Sequence, residues 1–317
     1  MKIVFMGTPH FAVPSLSMLL ERGYEITAVV TQPDRPVGRK RELMPTPVKA
    51  FALERGLTVL QPEKLRSPEG VAAVAAHAPD LIVTAAYGQI LPKAVLDLPK
   101  HGCLNVHGSL LPRYRGGAPI QRSIIDGESV TGVTLMYMAE GLDTGDMIAK
   151  VEVPIEDADT AGTMFEKLSL AGASLLGEWL PKIVAGEAPR VPQDHALSTY
   201  APNLTRDDER LDWSAASREI FNRVRGLNPM AGGFTQLDGE VFKVWRCEAP
   251  TAEDAKLKPA WAAMAPGSVL ETDARGIRVR TGDGSIVLAE VQPAGKKALN
   301  AADYARGARL AEGKLLG

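Results

Sequence analysis

Short apolar segments alternate with helical patterns through residues 2–125 of this 317-residue chain. Alternation of this kind is typical of a mostly parallel sheet with helices on both faces. Two later strands and a long helix extend the pattern, so we predict an α/β fold with a Rossmann-like first domain at residues 1–187. The predicted strands are residues 2–6, 25–31, 58–60, 80–85, 103–107, 131–138 and 147–155, and the predicted helices are 11–22, 47–55, 68–76, 119–125 and 160–185.

The pattern changes after residue 187. Residues 188–207 contain three prolines, show no periodicity and are predicted to form a linker over the surface. Five short strands joined by tight turns then favour a small β-barrel. We therefore expect residues 208–317 to form an OB-like domain, a class of barrel that often binds nucleic acid. Its predicted elements are a helix at 214–225 and strands at 233–237, 241–245, 268–271, 276–281 and 285–291.

The composition is that of an ordinary globular protein, with 45% hydrophobic and 23% charged residues. A formal net charge of −2 gives no global reason to expect a nucleic acid partner. Cys103 and Cys247 lie far apart and outside any Cys-x-x-Cys pair, which argues against a disulfide framework and against a thiolate metal site. No apolar run has the length of a signal peptide or a membrane span. We expect a cytoplasmic protein without a metal.

The predicted strand at residues 103–107 carries an unusual number of polar side chains. Alternation places Asn105 and His107 on one face, and Ser109 continues this face just past the strand. A proline-containing loop follows, so these residues lie near the carboxyl end of the strand. Ligands bind at that edge in open α/β sheets. The strand therefore predicts a ligand site around Asn105 and His107.

Several common motifs are absent. The first strand-to-helix turn reads Gly-Thr-Pro-His-Phe at residues 7–11, and it lacks the second and third glycines of the dinucleotide fingerprint. Neither a phosphate-binding loop that ends in Gly-Lys-Ser/Thr nor a Gly-x-Ser-x-Gly nucleophile turn occurs. These absences disfavour nicotinamide dehydrogenases, kinase-like enzymes and the common hydrolases.

The remaining polar set suits acyl-type transfer to an amine. Such a reaction needs a donor for the carbonyl oxygen that becomes an oxyanion, and a group that handles the proton of the amine. Asn105 and His107 supply both. Asp143, in a glycine-flanked loop, would orient the imidazole and stabilise its charge if it lies nearby. Alone, Asp143 could equally be a turn aspartate that bonds its own backbone.

Two motifs resemble those of the folate-dependent formyltransferases. They are Asn-Val-His-Gly-Ser-Leu-Leu-Pro at residues 105–112 and Gly-Leu-Asp-Thr-Gly-Asp at residues 141–146. The chain is similar nearly end to end to the branch of that family that acts on methionyl-tRNA. The resemblance implies formyl transfer from 10-formyltetrahydrofolate to the α-amino group of methionine on initiator methionyl-tRNA. Further matching segments are residues 5–9, 31–36, 86–92, 212–214, 243–245 and 292–297.

The resemblance also implies roles for individual residues. Asn105 and His107 would hold the oxyanion, and Asp143 would tune His107 and help to move protons. Backbone groups around Gln89 and Leu91, with the loop at 139–142, would receive the pterin ring. The residues that would border the folate are Ser109, Leu110, Leu111 and Pro112.

A basic run at residues 35–41 is the strongest candidate for contact with tRNA. It contains Arg39, Lys40 and Arg41 and no acidic residue. A run of this kind is usually a solvated loop, but near an active site it could pair with phosphates. The resemblance implies that this segment contacts the acceptor stem. Arg206 in the predicted linker is a weaker candidate.

Two other functions remain open. One is a formyltransferase that acts on a small amine such as an amino sugar nucleotide, which the basic run would not serve. The other is a catalytically silent protein that binds folate or RNA, against which the intact set of Asn105, His107 and Asp143 argues. We expect a monomer whose partners are initiator methionyl-tRNA and folate.

Overall fold

The computed structural model describes residues 1–37 and 42–317. The chain divides into two compact units. The first comprises Met1–Pro119, Val130–Pro154 and Phe165–Pro202. The second comprises Ile120–Ser129, Ile155–Met164 and Asn203–Gly317. Within these described ranges, no helix combines the length and the apolar character that crossing a membrane requires.

The first unit is built on one sheet with the strand order β5-β2-β1-β6-β7-β8-β9. The four pairs β5-β2, β2-β1, β1-β6 and β6-β7 are parallel. Strands β8 and β9 extend the sheet beyond β7 in antiparallel orientation. This confirms the predicted Rossmann-like, mostly parallel sheet. The strands are β1 Lys2–Gly7, β2 Glu25–Val30, β5 Val59–Leu60, β6 Leu81–Ala85, β7 Cys103–His107, β8 Val130–Tyr137 and β9 Met147–Pro154, while β3 Arg35–Val37 and β4 Glu42–Met44 form a separate hairpin.

Two helices of the first half begin where the sequence supplies side-chain caps. Thr46 and Ser67 each precede a proline, and their side-chain oxygens accept hydrogen bonds from the backbone N–H groups of Lys49 and Gly70, both at 3.1 Å. A proline at the first helical position needs no hydrogen-bond partner for its nitrogen, which favours helix starts here. The helices are α1 Val13–Glu21, α2 Pro47–Glu54, α3 Pro68–Ala75, α4 Lys93–Leu96, α5 Pro119–Ile125 and α6 Ala161–Ala185.

Strand β7 occupies the position that matters for function. It pairs with β6 on one side and with β8 on the other, so that Asn105 lies opposite Thr84 and Met136. Leu104 and Val106 point into the core and are buried. The alternate side chains, Asn105 and His107, are thereby directed to the other face near the carboxyl end of the strand.

The second unit is an antiparallel sheet with the order β10-β11-β14-β13-β12, and β15 pairs with β14. Residues 313–317 link its two edges, because Leu316 N donates to Gly267 O and Gly317 N donates to Gln236 O, both at 2.9 Å. This closure fits the predicted small barrel. The elements are α7 Ser217–Leu227, β10 Gly233–Leu237, β11 Glu240–Cys247, α8 Pro259–Ala262, β12 Val269–Thr272, β13 Ile277–Arg280, β14 Ser285–Pro293, β15 Leu299–Asn300 and α9 Ala301–Ala308.

The predicted linker at residues 188–207 divides between the two compact units. Residues 188–202 belong to the first unit and residues 203–207 to the second. Most of residues 188–202 are exposed, as the prediction of a surface segment requires, whereas Gln193 and Ala201 are buried. Its backbone bonds are made with loops distant in sequence, and no local periodicity can reveal such pairing.

Candidate active site

Asn105 is held by the neighbouring strand. Its Oδ1 accepts a hydrogen bond of 2.9 Å from the Oγ1 of Thr84 on β6. Thr84 is buried and its hydroxyl also lies 2.9 Å from the carbonyl oxygen of Leu104. The single hydroxyl proton is shared between these two acceptors, and the amide oxygen of Asn105 faces Thr84 while the amide nitrogen is turned away. The half-buried side chain can thus offer a fixed N–H donor to a substrate oxygen.

His107 is buried with only 6% of its surface exposed, and both ring nitrogens face defined groups. Nε2 lies 3.1 Å from the carbonyl oxygen of Tyr114. Because a carbonyl can only accept, Nε2 carries a proton in this arrangement. Nδ1 lies 3.7 Å from Oδ1 of Asp143. The structure therefore brings the predicted imidazole and carboxylate together, at a separation slightly longer than a hydrogen bond.

Asp143 is fixed through its carboxylate and its backbone. Oδ2 accepts a hydrogen bond of 2.9 Å from the backbone N–H of Gly116. The residue has a φ of 50°, in the left-handed region that non-glycine residues seldom occupy. Its carbonyl oxygen accepts a hydrogen bond of 2.7 Å from the side chain of Gln193. The carboxylate therefore bonds a residue distant in sequence, beyond the simple turn role that remained open for Asp143.

The segment after β7 is tightly bonded. Ser109 Oγ donates to the carbonyl oxygen of Arg113 at 2.7 Å, and Leu111 N donates to Thr134 Oγ1 at 3.0 Å. The Lys150 ammonium donates to the Leu111 carbonyl oxygen, and its burial lowers the pKa of that lysine. Ser109 and Leu111 are completely buried. The two buried residues and their hydrogen bonds fix the conformation of the turn that follows His107.

A nucleophilic cysteine is not part of this chemistry. Cys103 lies on β7 two residues before Asn105, and burial raises the pKa of its thiol to about 12. The thiol therefore stays protonated near neutral pH, and the thiol form is a poor nucleophile. Among the residues that the structure describes, no cluster of three or more His, Cys, Asp or Glu side chains is arranged to hold a metal.

Comparison with known proteins identifies the family. A sequence model described as formyl transferase matches residues 1–180, and a model described as formyl transferase, C-terminal domain, matches residues 203–309. The chain belongs to the formyltransferase family. Methionyl-tRNA formyltransferase of Geobacillus thermodenitrificans (strain NG80-2) is 54% identical over 99% of this chain and 97% of its own length. The protein of the same name from Bacillus subtilis (strain 168) is 52% identical over 100% of this chain and 98% of its own.

Two solved structures of other proteins share the fold. HypX from Aquifex aeolicus in complex with tetrahydrofolic acid aligns with a TM-score of 0.64 at 18% identity, over 96% of this chain. The aligned part is 46% of HypX, so this chain spans about half the length of that protein. WlaRD, a sugar 3N-formyl transferase, aligns with a TM-score of 0.63 at 19% identity, over 94% of this chain and 99% of its own. At these identities the likeness concerns the fold alone.

In this formyltransferase, the residues predicted to border folate differ in accessibility. Leu110 and Pro112 keep accessible surface, unlike Ser109 and Leu111. The Gln89 side chain accepts from Leu65 N at 2.7 Å and donates to Pro62 O at 3.1 Å. Leu91 is buried in the core. The pterin contacts that the resemblance implies for Gln89 and Leu91 use backbone groups, and these side-chain positions are compatible with that prediction.

The candidates for tRNA contact are only partly visible. Arg39, Lys40 and Arg41 lie outside the described residues. Asp34, which precedes the basic run, accepts hydrogen bonds from Lys49 Nζ at 2.5 Å and Gln61 Nε2 at 2.7 Å. The bond from Lys49 is the main cause that lowers the pKa of Asp34.

Arg206 belongs to the second unit and is about half exposed. Its guanidinium pairs with Glu209 and lies 3.7 Å above the Phe234 ring. These contacts partly neutralise its charge and limit its freedom to meet a phosphate.

Sequence reasoning missed three buried residues of this formyltransferase site. Thr84 orients Asn105, while Arg115 and Gln193 bond each other close to Asp143. A threonine near the end of a buried strand is a weak signal that could have pointed to Thr84. Gln193 carries no local signal, because its partners come from loops about fifty residues away or more.

Proposed function

We propose that this chain transfers the formyl group of 10-formyltetrahydrofolate to the α-amino group of methionine esterified to initiator tRNA. The observation that carries the proposal is the meeting of Asn105, His107 and Asp143 at the end of β7. It occurs in a chain whose full length is about half identical to methionyl-tRNA formyltransferases. The folate donor is supported by the family and by the HypX complex with tetrahydrofolic acid.

The residues support direct attack of the amine on the formyl carbon. As the new C–N bond forms, the formyl oxygen gains negative charge, and the amide nitrogen of Asn105 can donate to it. His107 is the second stabilising group in the proposal: because Nε2 donates to Tyr114 O and Nδ1 faces Asp143, its imidazole would act on the oxyanion through positive charge. A proton taken up at Nδ1 makes its imidazole a cation beside Asp143, which stabilises that charge from 3.7 Å.

The reaction balances when the intermediate collapses. The bond between the formyl carbon and N10 of the folate breaks, and N10 takes up a proton as the amine loses one. In the proposal His107 and Asp143 carry the proton between these positions, and their separation of 3.7 Å supports this role. The Asp143 carboxylate keeps its hydrogen bond to Gly116 N and so stays in place while the imidazole changes charge.

We further propose that the basic run with Arg39, Lys40 and Arg41 binds the acceptor stem, that Arg206 makes a lesser phosphate contact, and that the enzyme works as a monomer in the cytoplasm. The phosphate backbone of RNA attracts clustered Arg and Lys side chains irrespective of sequence. Sedimentation of the free protein measures the oligomeric state, and a dimer would contradict the proposed monomer.

A comparison of two acceptors, assayed separately, tests the proposed activity. Methionyl initiator tRNA and a nucleotide-linked amino sugar are each incubated with the enzyme and 10-formyltetrahydrofolate, and tetrahydrofolate release is followed. We expect rapid release with the tRNA only. Release only with the sugar would replace the proposal by the small-amine activity, which the fold shared with WlaRD makes the natural alternative.

Catalytic variants test the assigned roles in the same assay. Asn105→Ala and His107→Ala should each lower kcat roughly a hundredfold or more, which is the scale for the loss of an oxyanion donor. Normal turnover in both variants would remove these residues from the mechanism. A wild-type protein that binds folate without any turnover would instead support a silent binding protein.

A further inference from the structure

Residues 191–201, which we call the strap, are bonded to both loops that fix Asp143. At one end, Val191 and Met147 exchange backbone hydrogen bonds of 2.9 and 3.0 Å. At the other end, Arg115 N donates to Thr199 O at 2.9 Å, and Ala201 N donates to Arg115 O at 2.7 Å. The strap therefore joins the loop after β7 to the glycine-flanked loop before β9. All of these residues belong to the first unit.

Gln193 lies at the centre of the strap with only 6% of its surface exposed. Its Oε1 accepts from Nε and Nη2 of Arg115 at 3.1 and 2.7 Å. Its Nε2 donates to the carbonyl oxygens of Asp143 and Gly145, at 2.7 and 2.8 Å. One carboxamide thus connects a buried guanidinium with the backbone on both sides of Thr144. Only a group with a donor and an acceptor at one end can do this.

Arg115 has a matching role on the other side of Gln193. Only 2% of its surface is exposed, and its Nη2 also lies 3.1 Å from Nδ1 of His195. Because a guanidinium has only donors, this nitrogen of His195 is the acceptor. A buried arginine that bonds neutral side chains is costly unless its donors are satisfied, so the pair with Gln193 is held in one geometry.

Asp143 depends on being held in this way. Its φ of 50° lies in the left-handed region, which residues with a side chain seldom adopt without support from their surroundings. The hydrogen bond from Gln193 to its carbonyl oxygen favours that conformation. Its carboxylate is tied to Gly116 N, in the residue next to Arg115. Rotation of the backbone at Asp143 would move Oδ1 away from His107.

We propose that Gln193 and Arg115 are positioning residues that hold Asp143 in register with His107. Neither side chain needs to touch a substrate, because both act through the backbone and the carboxylate of Asp143. The inference rests on the proposed formyl transfer.

Gln193→Glu distinguishes the acceptor role of the Gln193 side chain, toward Arg115, from its donor role, toward Asp143 and Gly145. The glutamate keeps an acceptor for Arg115 and nearly the same volume, but it loses the donor to Asp143 and Gly145 and places a negative charge against two carbonyl oxygens. We expect kcat to fall roughly 10- to 100-fold, the scale for a small misplacement of a reacting group. KM for both substrates should change less than about twofold. Leu197→Ala is the control, since its side chain is 62% exposed on the same strap, and its kcat should be unchanged.

A double-mutant cycle distinguishes positioning from a general structural role. If Gln193 acts through Asp143, Gln193→Glu should have almost no further effect on kcat in an Asp143→Ala background. If the fold-decreases in kcat of the two single variants multiplied in the double variant, the proposal would be overturned. Normal kcat in Gln193→Glu would overturn it as well.

A readout that does not need activity keeps the inference separate from the proposed function. Gly116 N–H is bonded to the Asp143 carboxylate, so its hydrogen exchange reports whether that carboxylate is in place. We expect exchange at Gly116 to accelerate roughly tenfold in Gln193→Glu and not in Leu197→Ala. Unchanged exchange would overturn the positioning role even if turnover fell. An inactive wild type with the expected exchange would contradict the formyl transfer alone.

Discussion

At the scale of single residues, the active-site amide depends on a neighbour that has no chemical role of its own. Thr84 is opposite Asn105 in the parallel pairing of β6 and β7, and its hydroxyl donates to the Asn105 oxygen at 2.9 Å. Without this bond the carboxamide could flip and present its oxygen to the developing oxyanion, which is repulsive. Thr84 therefore selects the orientation in which Asn105 can donate.

Thr84→Val tests this orientation with little change in shape. We expect kcat to fall about tenfold, since the oxyanion donor is still present but no longer held, and full loss costs a hundredfold or more. Steady-state formylation kinetics measure the effect. Thr27→Val on β2 is the matched control, because its hydroxyl makes only a 3.3 Å contact with Ile3 O, and it should keep wild-type kcat. Equal kcat for both variants would contradict the orienting role of Thr84.

The sequence alone predicts those residues of the site that lie on the same strand. Asn105 and His107 follow from alternation along β7, because a period of two fixes which side chains share a face. Pairing Asp143 with them took the family resemblance as well. Thr84 and Gln193 could not be predicted, since their partners are set by strand order and by a non-periodic segment that packs back on the first unit.

At the scale of elements, β7 is positioned by the close approach of helix α6. Gly172 on α6 faces Val106, and a Cβ at this position would lie 2.6 Å from Val106 Cγ1. Val106 is the buried residue between Asn105 and His107. A side chain at Gly172 must therefore push either the helix or the catalytic strand.

Gly172→Ala should lower both stability and turnover. Overpacking in a core typically costs about 1–3 kcal/mol, which would appear as a lower midpoint of urea unfolding. We expect kcat to fall as well, because the displaced strand carries Asn105 and His107. Gly307→Ala on α9 is the matched control, since nothing lies within 4 Å of its Cβ. That substitution should stabilise the protein by about 0.5–1 kcal/mol through the helix preference for alanine. Unchanged stability and kcat in Gly172→Ala would mean that β7 and α6 adjust freely.

A second element contact predicts a dependence of stability on pH. Arg122 on α5 pairs with both carboxylate oxygens of Asp208, at 2.7 and 3.0 Å, within the second unit. Chiefly through this bond, the pKa of Asp208 is lowered from 3.8 to about 2. A lowered pKa in the folded state means that the pair stabilises the protein fully above pH 3.8 and progressively less as the pH falls through 2.

Asp208→Asn should therefore destabilise the protein by about 2 kcal/mol near neutral pH. The difference from wild type should shrink as the pH falls from 4 toward 2. Urea unfolding of both proteins across this range measures the difference. The control Asp303→Asn removes an exposed ion pair with Arg306 and should change stability by less than about 0.5 kcal/mol. A constant difference across the pH range would exclude ionisation of Asp208 as its source.

The elements themselves were predictable where they are long. Core strands such as β1, β6 and β7 begin and end within two residues of their predicted bounds, and α2, α3 and α6 agree equally well. Proline and the residue before it mark the starts of α2 and α3. The hairpin of β3 and β4 and the two-residue β15 were not predicted, since segments this short show no periodicity. Helix α9 was also missed, although Asn300 caps it through Ala302 N and Asp303 N.

At the scale of the whole molecule, the net charge is close to neutral, so recognition of the acceptor must depend on local segments of the chain. A net charge of −2 offers no general attraction for RNA, so binding of an acceptor stem must come from a cluster of basic residues. Residues 35–41 supply the densest such cluster in the sequence. Arg206 is already paired with Glu209, so in the proposal it contributes less.

Charge reversal in the basic run is the decisive change at this scale. Replacing Arg39, Lys40 and Arg41 by Glu should raise KM for methionyl-tRNA about tenfold or more, since each phosphate contact contributes to affinity, and leave KM for 10-formyltetrahydrofolate unchanged. The salt dependence of kcat/KM for the tRNA should also become shallower, because fewer counterions are released on binding.

The matched control reverses three exposed charges elsewhere in the first unit, and it separates phosphate contact from a general effect of net charge. Lys2, Arg55 and Lys182 are exposed, and replacing all three by Glu changes the net charge by the same amount. If the run acts by contact, only the first variant loses tRNA affinity and salt dependence. An equal loss in both variants would mean that long-range repulsion alone accounts for the effect, and the run would then be an ordinary solvated loop.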